Sequence, residues 1–204
     1  MYTALDATER NDDGCTGTAA LILENKLYVA HVGDSRAVLG ETNGVVAITK
    51  DHKPDRVDER KRIEDVGGTV IHAGTWRVSG VLAVSRSFGN RLMKQFVVAH
   101  PEIRHDVLHE STKCLIVASD GLWDVFSNKD AVVYALKFDD PEEAAKSMVK
   151  EAYDRGSFDN ISCVVCFFHY ENKHEGDFAQ QADTALRDQR TRVSFTNKIV
   201  LLLQ

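Results

Sequence analysis

The stretch Cys114-Leu115-Ile116-Val117-Ala118-Ser119-Asp120-Gly121-Leu122-Trp123-Asp124 decides the fold. Leu115 to Ala118 is a short continuous apolar run, the pattern of a buried strand. It ends on a carboxylate, Asp120, and glycine follows at once, so the backbone can turn sharply there. A second carboxylate, Asp124, returns four residues later. Carboxylates at the end of a buried strand are costly unless something pairs with them, and a hard divalent cation is a common partner. A signal of the same kind is Asp159-Asn160, directly ahead of the apolar run Ile161-Ser162-Cys163-Val164-Val165-Cys166-Phe167-Phe168. Two strands that each present an Asp at one end can converge on a metal. Singly, Asp-Gly and Asp-Asn are ordinary turn spellings, so their weight depends on the rest of the chain.

Upstream, the pattern predicts a meander of four antiparallel strands: Thr18 to Leu23, Leu27 to Val32, Arg36 to Leu39, and Val45 to Thr49 after the hairpin signal Asn43-Gly44. A short helix is expected from Asp55 to just before Gly67-Gly68, with Ile63 and Val66 on its buried side. Short strands follow at Thr69 to His72 and Val81 to Ser85, and Ser87 to Pro101 reads as an irregular loop. Downstream, Ser127 can cap one helix and Asp140 a second, with Pro141 at its first position and Glu143 completing a capping box. Ile161 to His169 is the last strand expected.

This outline is α+β, an antiparallel sheet architecture with helices segregated from the strands and covering sheet faces. Residues 1–12 read as a loose N-terminal segment, 13–170 as the domain, and 171–204 as a charged, Gln-rich tail outside the core. The apolar end of that tail, Phe195 to Gln204, is either a translated remnant or a small patch that covers exposed core.

Composition narrows the function classes. The 204 residues carry 43% hydrophobic and 27% charged residues and a formal net charge of -6, which excludes the basic face of a nucleic-acid binder. No signal-peptide pattern and no apolar stretch of membrane-spanning length occurs, and the four cysteines suit a reducing, intracellular compartment, cytosol or nucleus. Cys163 and Cys166 have metal-ligand spacing, but in a strand they point to opposite faces, and no second pair completes a zinc set.

Seven stretches in order resemble the metal-dependent Ser/Thr protein phosphatases of the PP2C (PPM) family, in its plant-like spelling. They are Gly17-Thr18-Ala19; Val29 through Arg36; Asp51-His52-Lys53-Pro54; Arg62-Ile63-Glu64 with Gly67-Gly68; Leu82 through Gly89; Ala118 through Asp124; and Asp159-Asn160-Ile161-Ser162. The resemblance implies a β-sandwich of two stacked antiparallel sheets flanked by helices, two Mg2+ or Mn2+ ions between the sheets, and attack of a metal-bound water on phosphoserine or phosphothreonine of protein substrates. It implies that Asp120 and Asp159 are direct metal ligands, that Asp124 serves a weaker third metal, and that Asp13 is another ligand. It implies too that the Ser85–Pro101 loop governs contacts with substrate and regulatory proteins, here with Asn90 and His100 where related sequences often have Asp. Gly33-Asp34-Ser35-Arg36 reads as a structural turn with Arg36 satisfying nearby carbonyls or carboxylates. His31 reads as a packed or surface histidine, His52 as a loop hydrogen-bonder, and Trp123 as core beneath the metal loop.

The family's first metal motif, spelled Asp-Gly-His-Gly, is not present, nor is the phosphate-gripping Arg upstream of it. That motif supplies the bridging carboxylate and a general-acid His. The expectation is therefore an N-terminally incomplete sandwich with impaired hydrolysis, or a phosphatase-like protein that binds without turnover.

Overall fold

The computed structural model describes residues 12–170 and 198–203. In chain order the strands are β1 (Gly14–Cys15), β2 (Gly17–Leu23), β3 (Lys26–Val32), β4 (Arg36–Glu41) and β5 (Gly44–Ala47), followed by helix α1 (Val57–Asp65). Then come β6 (Val70–Ala73), β7 (Thr75–Val78), β8 (Phe88–Gly89), a 3-10 turn (Arg91–Met93), β9 (Glu102–Val107) and β10 (Thr112–Ala118). Helices α2 (Asp120–Trp123), α3 (Asn128–Ala135) and α4 (Pro141–Asp154) precede β11 (Cys163–Phe167) and β12 (Lys198–Leu203).

Two four-stranded antiparallel sheets make the sandwich, one ordered β11-β10-β4-β5 and the other β12-β2-β3-β9. The period-2 alternation of a strand explains how β10 serves two interfaces. Leu115 and Val117 join Ala37 and Leu39 of β4 against Ala20, Ile22, Leu27 and Val29 of the facing sheet. Cys114, Ile116 and Ala118 face the other way, onto Leu122, Ala131, Val132, Ala144 and Met148 of the helices. Burying a Leu, Ile or Val side chain contributes roughly 1.5–3 kcal/mol, so this one strand stabilises both layers. Cys163 packs on the helix side and Cys166 on the sheet side, so they face apart as a strand requires.

The α+β class and the sandwich agree with the sequence reading, and so do both capped helices. Ser127 Oγ accepts the Asp130 N–H at 3.1 Å, and Asp140 Oδ2 accepts the Glu143 N–H at 2.9 Å. Four expectations need correction. Of the two residues read onto the buried side of α1, Ile63 is buried but Val66, just past the helix end, is exposed. The meander is not one sheet: β2 and β3 pair in one layer, β4 and β5 in the other, and the chain crosses between layers at Gly33. Val81 to Ser85 forms no strand; β7 takes that place, one residue beyond β6, because Gly74 at φ 75° closes a tight hairpin. Residues 198–203 do not lie outside the core. They pair antiparallel with β2, and Val200 and Leu202 are buried in the core between the sheets. Of the segment read as tail, 171–197 and 204 fall outside the described residues, as do 1–11 of the loose N-terminal segment.

Candidate metal centre

Three elements end at one place. β3 runs into Gly33-Asp34-Ser35, β10 into Ser119-Asp120-Gly121, and Asp159-Asn160 stands ahead of β11. Pairing of β10 with β11 sets Ala118 opposite Cys163, and pairing of β10 with β4 sets Ala118 opposite Arg36. The hydrogen-bond ladder therefore brings Asp34, Asp120 and Asp159 to the same end of one sheet, although they are far apart in sequence.

Ser119 stitches the junction. Its backbone N–H donates to Ser162 O at 3.0 Å, its Oγ accepts the Ser162 N–H at 2.9 Å, and the hydroxyl donates to Asn160 O at 3.1 Å. Ser157 Oγ adds a bond to Gly121 O at 2.6 Å. Gly121 is pressed against this loop: a Cβ there would lie 2.4 Å from Asn160 O and 3.3 Å from the Asp159 Cβ. Only glycine allows the two Asp-bearing turns to close so tightly. Asp159 Oδ1 accepts the Asn160 N–H at 2.7 Å, which fixes one carboxylate oxygen.

The electrostatics record the crowding. Burial pushes the Asp120 carboxyl up, and Asp34, Asp159 and Asp124 push it further, to about 6, while Lys53 opposes them. Like charges that act on one another in this way lower the cost of binding a cation. Asp34 is buried, and its partner is the Lys53 ammonium. Asp124 lies one turn beyond Asp120, with its N–H on Asp120 O at 2.8 Å. Trp123 lies beneath, 7% exposed, its Nε1 donating to Ala118 O at 2.9 Å. Arg36 sits over the Trp123 ring at 5.3 Å and grips Asp51 with Nε and Nη2 at 2.9 and 2.6 Å.

Asp13 is placed differently. It stands exposed at the start of β1, its carbonyl accepting the Asn90 N–H at 3.0 Å, and it is not among the groups that act most strongly on Asp120. Asp34 is the residue that the turn reading passed over. It had the same signal as Asp120, an apolar strand that ends in a glycine and a carboxylate, here Val29 to Val32 and then Gly33-Asp34.

Among the described residues, the tightest groupings of possible ligand atoms lie elsewhere. His31, His52 and Glu102, and Asp58, Glu59 and Glu102, have ligand atoms within 4.8 Å of one another. The carboxylates of both groups are already paired with arginine. Glu102 holds Arg56 and Arg86, and Glu59 takes Arg86 at 2.5 and 3.0 Å and Arg62 at 2.9 Å. Burial would raise Glu59, yet these hydrogen bonds hold it down to about 2. A cation would have to displace guanidinium groups from these carboxylates. His31 and His52 stack at 4.4 Å, and His52 Nδ1 meets Gly33 N and O at 3.0 and 3.1 Å. Both histidines are thus packed hydrogen-bonders, and Arg86 braces the loop through Glu59 and His100 O.

Comparisons with known proteins point to one family. A family model described as Protein phosphatase 2C matches residues 1–161. A rice protein (Oryza sativa subsp. japonica) named probable protein phosphatase 2C member 13, mitochondrial, is 56% identical over 160 residues, covering 78% of this chain and 44% of that protein. An Arabidopsis thaliana protein named probable protein phosphatase 2C 59 is 55% identical over 161 residues, 79% of this chain and 52% of its own length. Among solved structures, serine-threonine phosphatase 2C from Toxoplasma gondii matches with TM-score 0.72 and 25% identity, covering 82% of this chain and 62% of that one. This chain thus spans about half or less of the two plant relatives' lengths.

Proposed function

Because this chain belongs to the protein phosphatase 2C family, we propose that it carries the cation-holding part of a metal-dependent phosphatase acting on phosphoserine and phosphothreonine of proteins. The observation that carries this reading is the junction of Gly121 with Asp159-Asn160, which gathers several carboxylates around one ammonium. Asp120 and Asp159 are assigned as direct ligands of Mg2+ or Mn2+, and Asp124 and Asp34 as ligands of an outer, weaker ion. Asp13 enters as a further outer ligand through the family resemblance. All-carboxylate donors suit these hard ions and exclude softer ones. When bound, such ions lower the pKa of water and neutralise charge on phosphoryl oxygens. The chain's own residues do the positioning: Ser119 holds the two strands in register, Trp123 supports the turn, and Arg36 with Asp51 fixes the wall. A regulatory protein contact is assigned to the Ser85–Pro101 segment, where Leu92 is exposed.

The 204 residues contain no Asp-Gly-His-Gly motif. A second reading is a phosphoprotein-binding chain whose own hydrolysis is slower by orders of magnitude, since positioning and charge stabilisation supply most of phosphoryl-transfer catalysis. Hydrolysis of p-nitrophenyl phosphate with Mn2+, wild type against Asp120→Ala, separates the two. The phosphatase reading expects activity that falls by about a hundredfold in the variant. A folded protein without activity, but with manganese-dependent capture of a phosphopeptide, supports the binder.

A further inference from the structure

The carboxylate cluster already contains a cation of its own. Lys53 Nζ pairs with Asp34 Oδ2, the Asp34 side chain being 6% exposed and the Lys53 side chain 39%. Besides Asp34, both Asp120 and Asp51 act on this ammonium. Lys53 is also the one positive group among those that act most strongly on Asp120. We propose that Lys53 is a built-in counter-ion that occupies the cluster in the metal-free chain, so that Mn2+ or Mg2+ enters by exchange and the ammonium sets the affinity. This rests on the metal-binding reading above.

Two features make Lys53 displaceable. Its partner contact is through one ammonium on a flexible stem, without the fork that locks a guanidinium to a carboxylate. Arg36, in the same wall, shows the contrast: it is held by both oxygens of Asp51, by Asn128 Oδ1 at 2.8 Å and by the Trp123 face. Lys53 also borders an open cleft of about 400 Å³ lined by Arg36, Lys50, Asp51, Asp55 and Arg56, which gives the released side chain a solvated place to lie. A buried carboxylate left without any cation is costly. Lysine therefore keeps the metal-free site folded, and the arriving ion must outcompete it.

The test is manganese titration by calorimetry on the whole chain, with thermal melts to confirm folding. Lys53→Met should tighten manganese binding by roughly three- to tenfold, the worth of a partly exposed ion pair. Lys53→Arg should weaken it below wild type, because the fork grips Asp34 harder. Lys50→Met removes an equal charge from the same cleft without touching Asp34, and should shift affinity by less than about twofold. Unchanged or weaker binding in Lys53→Met overturns the exchange, as does an equal gain in Lys50→Met, which would reduce the effect to net charge. If wild type and Lys53→Met both fail to take up manganese, the metal reading itself falls and the exchange with it. Manganese bound by wild type without the Lys53 effect removes the exchange alone.

Discussion

Two ionic assemblies meet at Gly33, and they are balanced in opposite ways. On one side Glu59 and Glu102 are surrounded by Arg56, Arg62 and Arg86. Every carboxylate there has at least one guanidinium, and Glu59 is held down to about 2 against the pull of burial. On the other side Asp120 meets Asp34, Asp159 and Asp124 with Lys53 as the one positive group among its strongest neighbours, and it is pushed up to about 6, while Arg36, the next cation, is committed to Asp51. The two sides use similar residue types. What differs is the ratio of charges, and that ratio separates a network that braces the fold from a cluster with carboxylates in excess.

The largest expected effect breaks the balanced side. Glu59→Ala leaves Arg62 and Arg86 facing each other without their shared carboxylate, and stability should fall by about 3–5 kcal/mol in urea unfolding. The matching change on the unbalanced side has the opposite sign. Without metal, Asp120→Asn relieves like-charge repulsion and should stabilise the chain by ~1–2 kcal/mol after allowing for its partial exposure. It should also abolish the rise in Tm that manganese gives the wild type. If both substitutions destabilise equally, the distinction between the two assemblies is wrong.

A smaller effect appears in pH. Burial lowers His52 to about 4, with His31 and Arg86 pushing the same way, so the folded chain binds fewer protons there than the unfolded chain. That contribution to stability is complete above about pH 6.5 and is lost as pH falls through 4. Asp120 acts in reverse: its raised pKa means that the folded chain gains protons, and stability, as pH falls through about 6. In the metal-free wild type the two partly cancel. Asp120→Asn removes only the second, so its stability should decline more steeply between pH 6.5 and 4, by ~1–2 kcal/mol across the window. Identical slopes in the two proteins would show that Asp120 does not carry the strain assigned to it.

The sequence revealed each assembly only as far as local patterns reach. Continuous apolar runs marked β10 and β11, and paired cap residues marked α3 and α4, because those signals are written within one element. β9 was passed over because Glu102-Ile103-Arg104-His105-Asp106-Val107 is polar and largely exposed, an edge strand defined by its partner β3 rather than by its own pattern. The split of the meander was hidden for a related reason: a turn at Gly33 reads the same whether the next strand pairs with its neighbour or crosses to the other layer. Asp34 was lost with it, because Gly-Asp-Ser spells a turn and only the fold shows that carboxylate buried beside Asp120. The pairings of the arginine network were illegible, since Glu59 finds Arg86 and Glu102 finds Arg56 across long loops.

The subtlest way to sharpen the contrast is Ser119→Ala. Ser119 has no charge, so the substitution leaves the balance of both assemblies untouched. It removes two hydrogen bonds, one from the Ser162 N–H and one to Asn160 O, that hold the end of β10 to the loop carrying Asp159. Each such bond has a modest net worth, and the Ser162 N–H can partly recover through water, so the stability loss should be about 1 kcal/mol. Manganese affinity should fall by more than stability predicts, roughly three- to tenfold, because a shared ion depends on the separation of Asp120 and Asp159 more steeply than the fold does. A drop in stability with unchanged manganese affinity would mean that sheet pairing alone fixes that separation. The unbalanced assembly would then be as rigidly built as the balanced one, and charge ratio would be the only physical difference between them.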